Sequence, residues 1–117
     1  MEIGNIKFKA KKTLDGKWIN GDLVHHKDSD NVWITDYENQ LTSPVNPSTV
    51  CMFTGLKDKN GTPIYEGDIV MHKDNNAERR GDINWDSKAA AFCFGQGFLV
   101  HNSSEDMVVI GNKFDKK

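Results

Sequence analysis

Apolar and polar positions alternate one for one in IKFKA, where Ile6, Phe8 and Ala10 fall on one side of an extended chain and Lys7 and Lys9 on the other. A period of two marks a half-buried β-strand, whereas a helix would scatter these side chains around its axis. The spacing predicts a strand from Ile6 to Lys11 and a second from Lys17 to His25. Between them, Asp15-Gly16 reads as a two-residue hairpin turn, because glycine supplies the positive φ that such a turn needs. NVWITDY, from Asn31 to Tyr37, is rich in β-branched and aromatic residues and makes a third strand after the polar KDSD loop. QLTSPVNPST carries Pro44 and Pro47, which break a ladder and predict a connection, with Ser48 able to begin a helical turn at most. Beyond it, VCMFTGL, TPIYEGDIVMHK, GDINWD, AAAFCF, GFLVH and DMVVIGN are apolar runs separated by KDKNG, DNNAERR, SK, GQ and NSSE. Short strands at short intervals point to a small barrel or sandwich. No window of about 11 residues shows apolar spacing at i, i+3, i+4 and i+7. The expected fold class is all-β (mainly β), with a β-rich N-terminal subdomain (hairpin plus strand) over residues 1–50 and a second β subdomain over residues 51–117.

GDLVHHKD at Gly21 to Asp28 returns almost unchanged as GDIVMHKD at Gly67 to Asp74, and IGNIKF near the start is echoed by IGNKF near the end. Either both copies mark one structural event, a turn feeding a strand, or together they build one site. The residues between the copies do not align, and tandem arrays need three or more stacked units, so recurrent turn chemistry is the preferred reading over duplication. Gly21 and Gly67 are accordingly expected at equivalent turn positions, each just before a strand, with the following Asp accepting backbone N–H bonds.

With 117 residues the chain is one domain, or two very small units sharing a core, and it can fold without staples. Its 15 basic and 17 acidic side chains give a formal charge of -2, which supplies no global field for coating nucleic acid and leaves only local basic patches. Cys51 and Cys93 lie in apolar runs with no ligand-spaced partner, and are read as buried, reduced thiols. MEIGNIKFKAKK has no apolar core of the kind a signal peptide needs, and no run approaches the roughly 18 apolar residues of a membrane span. A soluble chain in the cytoplasm, away from any membrane, is expected.

His25 and His26 are adjacent and point to opposite faces of a strand, and His72 and His101 are isolated, so no metal site is expected. HExxH, CxxC, GxSxG and GxxxxGK[ST] are all absent. Asp28, Asp30, Asp74 and Asp86 sit at strand ends or in loops, where carboxylates usually cap turns rather than catalyse. The better functional candidate is Lys73 to Trp85, in which a loop bearing Lys73, Arg79 and Arg80 leads into a strand bearing Trp85. Cations beside an exposed aromatic are ingredients of a single-strand nucleic-acid platform or a peptide groove. The preferred structural reading of the same residues is plainer: Trp85 shares a face with Ile83 and lies in the core, and ERR is a solvated loop tip.

FTGLKDKNGTPIYEGDIV, Phe53 to Val70, resembles the signature of the YopX-like family of bacteriophage and prophage proteins, and VVIGNKF at Val108 to Phe114 stands where that family carries its closing VIGN stretch. IKFKA and KWINGDLVH are similar to the family's first two strands, except that Lys9 stands where the family usually has Arg. The resemblance implies a small, mostly β protein with a C-terminal SH3-like five-stranded barrel starting near Gly67. It implies no catalytic residue and no cofactor. The expected role is a phage- or prophage-encoded, non-catalytic binding or assembly module, not an enzyme, that self-associates as a homo-oligomer and engages an unknown phage or host protein. The alternative is a nucleic-acid-binding protein that uses the basic Lys73–Arg80 loop and Trp85.

Overall fold

The computed structural model describes residues 3–74, 77–88, 90–94, 98–99 and 106–115. Most of them are strand or turn. Among the described residues the helical elements of three residues or more are two short 3-10 turns, Ile3–Asn5 and Pro47–Thr49. The chain forms two compact units, Met1–Phe53 and Thr54–Lys117, so the division falls inside a strand rather than before it.

In the first unit, β1 (Phe8–Lys11), β2 (Trp18–His25), β3 (Val32–Asp36), β4 (Thr42–Val45) and the start of β5 (Cys51–Lys57) pair antiparallel in the order β4-β3-β2-β1-β5. Lys11 faces Trp18 and Phe8 faces Gly21 across the first hairpin. Its connection is longer than a two-residue turn. The Lys12 N–H donates to the Lys17 carbonyl at 2.9 Å, and the Gly16 N–H donates back to the Lys12 carbonyl at 2.9 Å. Gly16 has φ of 72° and Asp15 Oδ1 accepts the Lys17 N–H at 3.0 Å, so Asp15 caps the turn and Gly16 takes its left-handed corner.

Pro44 does not end the ladder, as the sequence reading expects; it lies inside β4, opposite Trp33. A proline is tolerated there because β4 is the outermost strand and the missing N–H can face away from β3. The sheet also curls back on itself. Val45 bridges to Lys12, the Asn46 N–H donates to the Lys11 carbonyl at 2.8 Å, and the Lys11 N–H donates to Thr49 Oγ1 at 2.9 Å. The curled interior holds Ala10, Val32, Ile34 and Val45, with Phe8, Ile19, Leu23 and Val50 packed around them.

Gly21 is not at a turn. It sits in the middle of β2, paired with Phe8 on one side and Asp36 on the other, and a Cβ there would lie 1.9 Å from the Thr35 carbonyl oxygen. Glycine inside a strand marks a close backbone approach, and a tightly curled sheet requires one. Gly67 does precede a strand, at φ of 86° in the turn before β7. The repeated letters therefore serve two different structural events.

In the second unit TPIYEGDIVMHK splits around that turn into β6 (Pro63–Tyr65) and β7 (Asp68–Asp74). β8 (Ala77–Asp86), β9 (Ala91–Phe94) and β10 (Phe98–Leu99) continue an antiparallel meander, and β11 (Met107–Asn112) returns beside β7, giving the order β10-β9-β8-β7-β11. β6 lies next to the end of β5. What the pairings establish of the expected barrel is this five-stranded antiparallel sheet. β8 pairs through Ala77–Asp82 with β7 and through Ile83–Asp86 with β9, while β11 carries a bulge at Ile110. Ile64, Val70, Ile83, Phe94 and Met107 form this unit's core, flanked by Leu56, Phe92 and Val109.

Candidate functional site

Lys73, Arg79 and Arg80 are strand residues rather than the loop the sequence suggests. In the β7–β8 ladder Lys73 stands opposite Glu78, Arg79 opposite His72 and Arg80 opposite Met71. Apolar residues are few in this part of the sequence, but cross-strand pairing continues as far as Asp74 and Ala77. Successive strand side chains point to opposite faces, so Arg79 and Arg80 do not share one. Arg79 is also six positions from Trp85, about 20 Å along the strand. Trp85 itself is 51% exposed, contrary to the expectation that it is core. It does share a face with fully buried Ile83, but the packed layer ends at the Ile83–Phe94 pair. Two pairs further along, Trp85 meets Phe92, which flanks the core, edge-on at 5.1 Å and is itself left at its margin. The four residues nominated from the sequence are thus not gathered into one surface.

A different cationic surface is gathered, on β1 and β2. Alternation that buries Ala10 inside the curled sheet turns Lys7, Lys9 and Lys11 to the other face. Opposite residues of an antiparallel ladder share a face, so Lys11 is joined there by Trp18, and Lys9 by Asn20. The Lys9 Nζ lies 4.9 Å and the Lys11 Nζ 5.5 Å from the centre of the same Trp18 ring, while the Lys7 Nζ stands 4.4 Å from the Phe53 ring. An exposed cation–π contact contributes about 0.5–1 kcal/mol. A nucleobase stacked on an aromatic side chain contributes about 1–3 kcal/mol, enough to displace an ammonium from the ring and leave it for a phosphate. Charge is segregated along this part of the chain: residues 7–17 hold Lys7, Lys9, Lys11, Lys12 and Lys17 against Asp15 alone, which pairs with Lys12 at 3.3 Å. The sequence signal was the period-two lysines of IKFKAK, which by themselves read as an ordinary solvated face; Trp18 joins them only through strand pairing.

The buried carboxylates hold structure together. Asp58 Oδ1 accepts the Asn60 and Thr62 N–H groups at 2.9 Å each, and its Oδ2 accepts the Val109 N–H of β11 at 2.9 Å. Partial burial alone would push this carboxyl up, but the backbone donors, Val109 first, outweigh it and hold its pKa below the ordinary value. Fully buried Asp68 accepts the Tyr65 N–H at 2.8 Å and the Asn112 side-chain amide at 2.9 Å. Lys59 N–H to Met107 carbonyl, at 3.0 Å, and Lys113 N–H to Gly67 carbonyl, at 2.9 Å, complete the stitching. The Phe53–Val70 run and the VVIGNKF stretch are therefore two sides of one fastening.

The first copy of the repeat uses its acid differently: exposed Asp22 lies 3.0 Å from the Tyr37 hydroxyl. Burial, then the Asp22 carboxylate, raise the pKa of that hydroxyl. Among the described residues no buried side-chain nitrogen or oxygen lacks a partner, and no cluster of three or more His, Cys, Asp or Glu residues could hold a metal. Cys51 and Cys93 are both buried and outside any disulfide, as their apolar runs suggested. His25 and His26 are exposed, with His26 edge-on to Trp33 at 5.2 Å, and His101 lies outside the described residues. No helix among the described residues is long and apolar enough to cross a membrane.

No curated protein matches the chain significantly. The profile of one family, described as YopX protein, matches residues 7–116, nearly the whole length. That span takes in the first lysine of the cationic strand, the Asp58 and Asp68 fastenings and the closing β11. The chain belongs to the YopX protein family.

Proposed function

We propose that this protein is a non-catalytic binding module, encoded by a phage or prophage and acting in the bacterial cytoplasm, that engages an anionic partner through the outer face of β1 and β2. The observation that carries this reading is the convergence of the Lys9 and Lys11 ammoniums on one Trp18 ring, at 4.9 and 5.5 Å. Two close positive charges beside a flat apolar surface favour a ligand that is both anionic and able to pack. The roles of Asp58 and Asp68 support a non-catalytic reading, since both are committed to backbone and amide donors that anchor β11. The alternative that relies on Lys73, Arg79, Arg80 and Trp85 has less support, because those residues are spread along β7 and β8. Retention on immobilised heparin across a salt gradient tests the proposal. The parent protein is expected to be retained at low salt and released as screening rises, and Lys9→Gln/Lys11→Gln to elute earlier. Equal elution of the two, or no retention of the parent at low salt, would refute it.

A further inference from the structure

We infer that the Lys7, Lys9, Lys11 and Trp18 face binds single-stranded nucleic acid, an inference that rests on the anion-binding reading above and names its ligand. Three features select this class. First, the lysines recur at alternate strand positions, about 6.8 Å apart, so they form a row of charges along β1 suited to a strand of successive phosphates. Second, Trp18 lies directly across the ladder from Lys11, at one end of that row, where a base can stack while its phosphates lie along the lysines. A duplex hides the faces of its bases and gives Trp18 nothing to stack on. Third, the cations here are all lysines, which meet phosphate oxygens as point charges.

The charge pattern also limits the site. Beyond Asn20 on the same face stands Asp22, and Asp28, Asp30, Asp36 and Glu38 follow in the β2–β3 and β3–β4 region. The β1–β2 register, continued by one residue, sets Asp22 across from Lys7, and a phosphate backbone is repelled beyond that point, so the site is short and ends at Lys7. Three lysine–phosphate contacts give a log–log salt slope of about -2.

The test titrates a short oligothymidylate into the full chain and follows intrinsic tryptophan fluorescence, with a duplex of the same length, heparin and polyglutamate in parallel. The expected result is quenching and tight binding with oligothymidylate, weaker binding of duplex, and a slope near -2. Lys9→Gln/Lys11→Gln should weaken binding and flatten the slope toward about -0.7. Trp18→Leu, which lacks the reporting ring and is followed instead by fluorescence anisotropy of a dye-labelled oligothymidylate, should bind about tenfold more weakly with the slope retained, because stacking and not charge is removed. Arg79→Gln/Arg80→Gln should bind like the parent, and circular dichroism confirms that each variant is folded. If duplex, heparin and polyglutamate bind as tightly as oligothymidylate and still depend on the lysines, the inference fails and the anion-binding reading survives. If no polyanion binds, both fail. Unchanged oligothymidylate binding by the folded lysine variant would also overturn the inference.

Discussion

An alanine at position 21 would place its Cβ 1.9 Å from the Thr35 carbonyl oxygen, 2.8 Å from the Thr35 carbonyl carbon and 3.2 Å from the Asp36 Cα. All three atoms are backbone, so no side-chain rotation relieves the overlap. Restoring contact distances means moving β2 and β3 apart by more than about 1 Å. That displacement strains the ladder on both sides, because Gly21 pairs with Phe8 as well as Asp36. Overpacking costs about 1–3 kcal/mol, and each weakened ladder bond about 0.5–1.5 kcal/mol. The lower chain entropy of unfolded alanine offsets about 0.4–1 kcal/mol, leaving a net loss of about 3 kcal/mol. With a urea slope of about 1.5 kcal/mol per molar, the midpoint of Gly21→Ala should fall by about 2 M, followed by circular dichroism. Two comparisons isolate the cause. Gly4→Ala meets nothing within 4 Å and should stay within about 0.5 kcal/mol of the parent. Gly67→Ala, at φ of 86°, should lose about 1–2 kcal/mol from backbone strain. A Gly21→Ala midpoint indistinguishable from that of Gly4→Ala would refute the reasoning.

Asp58 gives a pH-dependent prediction. Its folded pKa lies below the ordinary 3.8, so its contribution is complete above that value and is lost as pH falls through the lowered folded pKa. Urea midpoints measured from neutral pH down to strong acid should fall less steeply below pH 3.8 for Asp58→Asn than for the parent; parallel curves would count against the Val109 fastening. Ile83→Ala should destabilise by about 2–5 kcal/mol through a core cavity. Trp85→Ala, which removes an exposed ring and its edge contact with Phe92, should cost about 1 kcal/mol, and equal losses in thermal denaturation would place Trp85 in the core after all.

Local pattern carried the β class, because a period of two is a property of the chain that needs no partner: IKFKA, NVWITDY and DMVVIGN each became a strand. It also located the buried thiols, which lie in apolar runs. What it could not carry were features that depend on a strand's neighbours. Pro44 reads as a breaker, yet it is accommodated because β4 runs in a ladder with β3 alone, its other side meeting Lys12 and Thr13 only through isolated contacts, and that position is decided by sheet order. Lys73, Arg79 and Arg80 read as a loop, yet the ladder of β7 and β8 runs through them. Ile83 and Trp85 have the same parity and opposite burial, because the core ends between them, at a boundary set by what packs above the sheet. The repeated Gly-Asp pair shows the division most directly. Identical letters place Gly21 against the Thr35 backbone with Asp22 in solvent, and Gly67 in a left-handed turn with Asp68 fully buried against Tyr65 and Asn112. Sequence by itself determined that each Gly-Asp pair would adjoin extended chain; its expectation of a turn at both glycines held at Gly67 and failed at Gly21. Tertiary structure decided which glycine meets a neighbouring strand, which acid anchors β11, and that Trp18 stands beside Lys9 and Lys11, since each depends on which residues the strand registers set side by side.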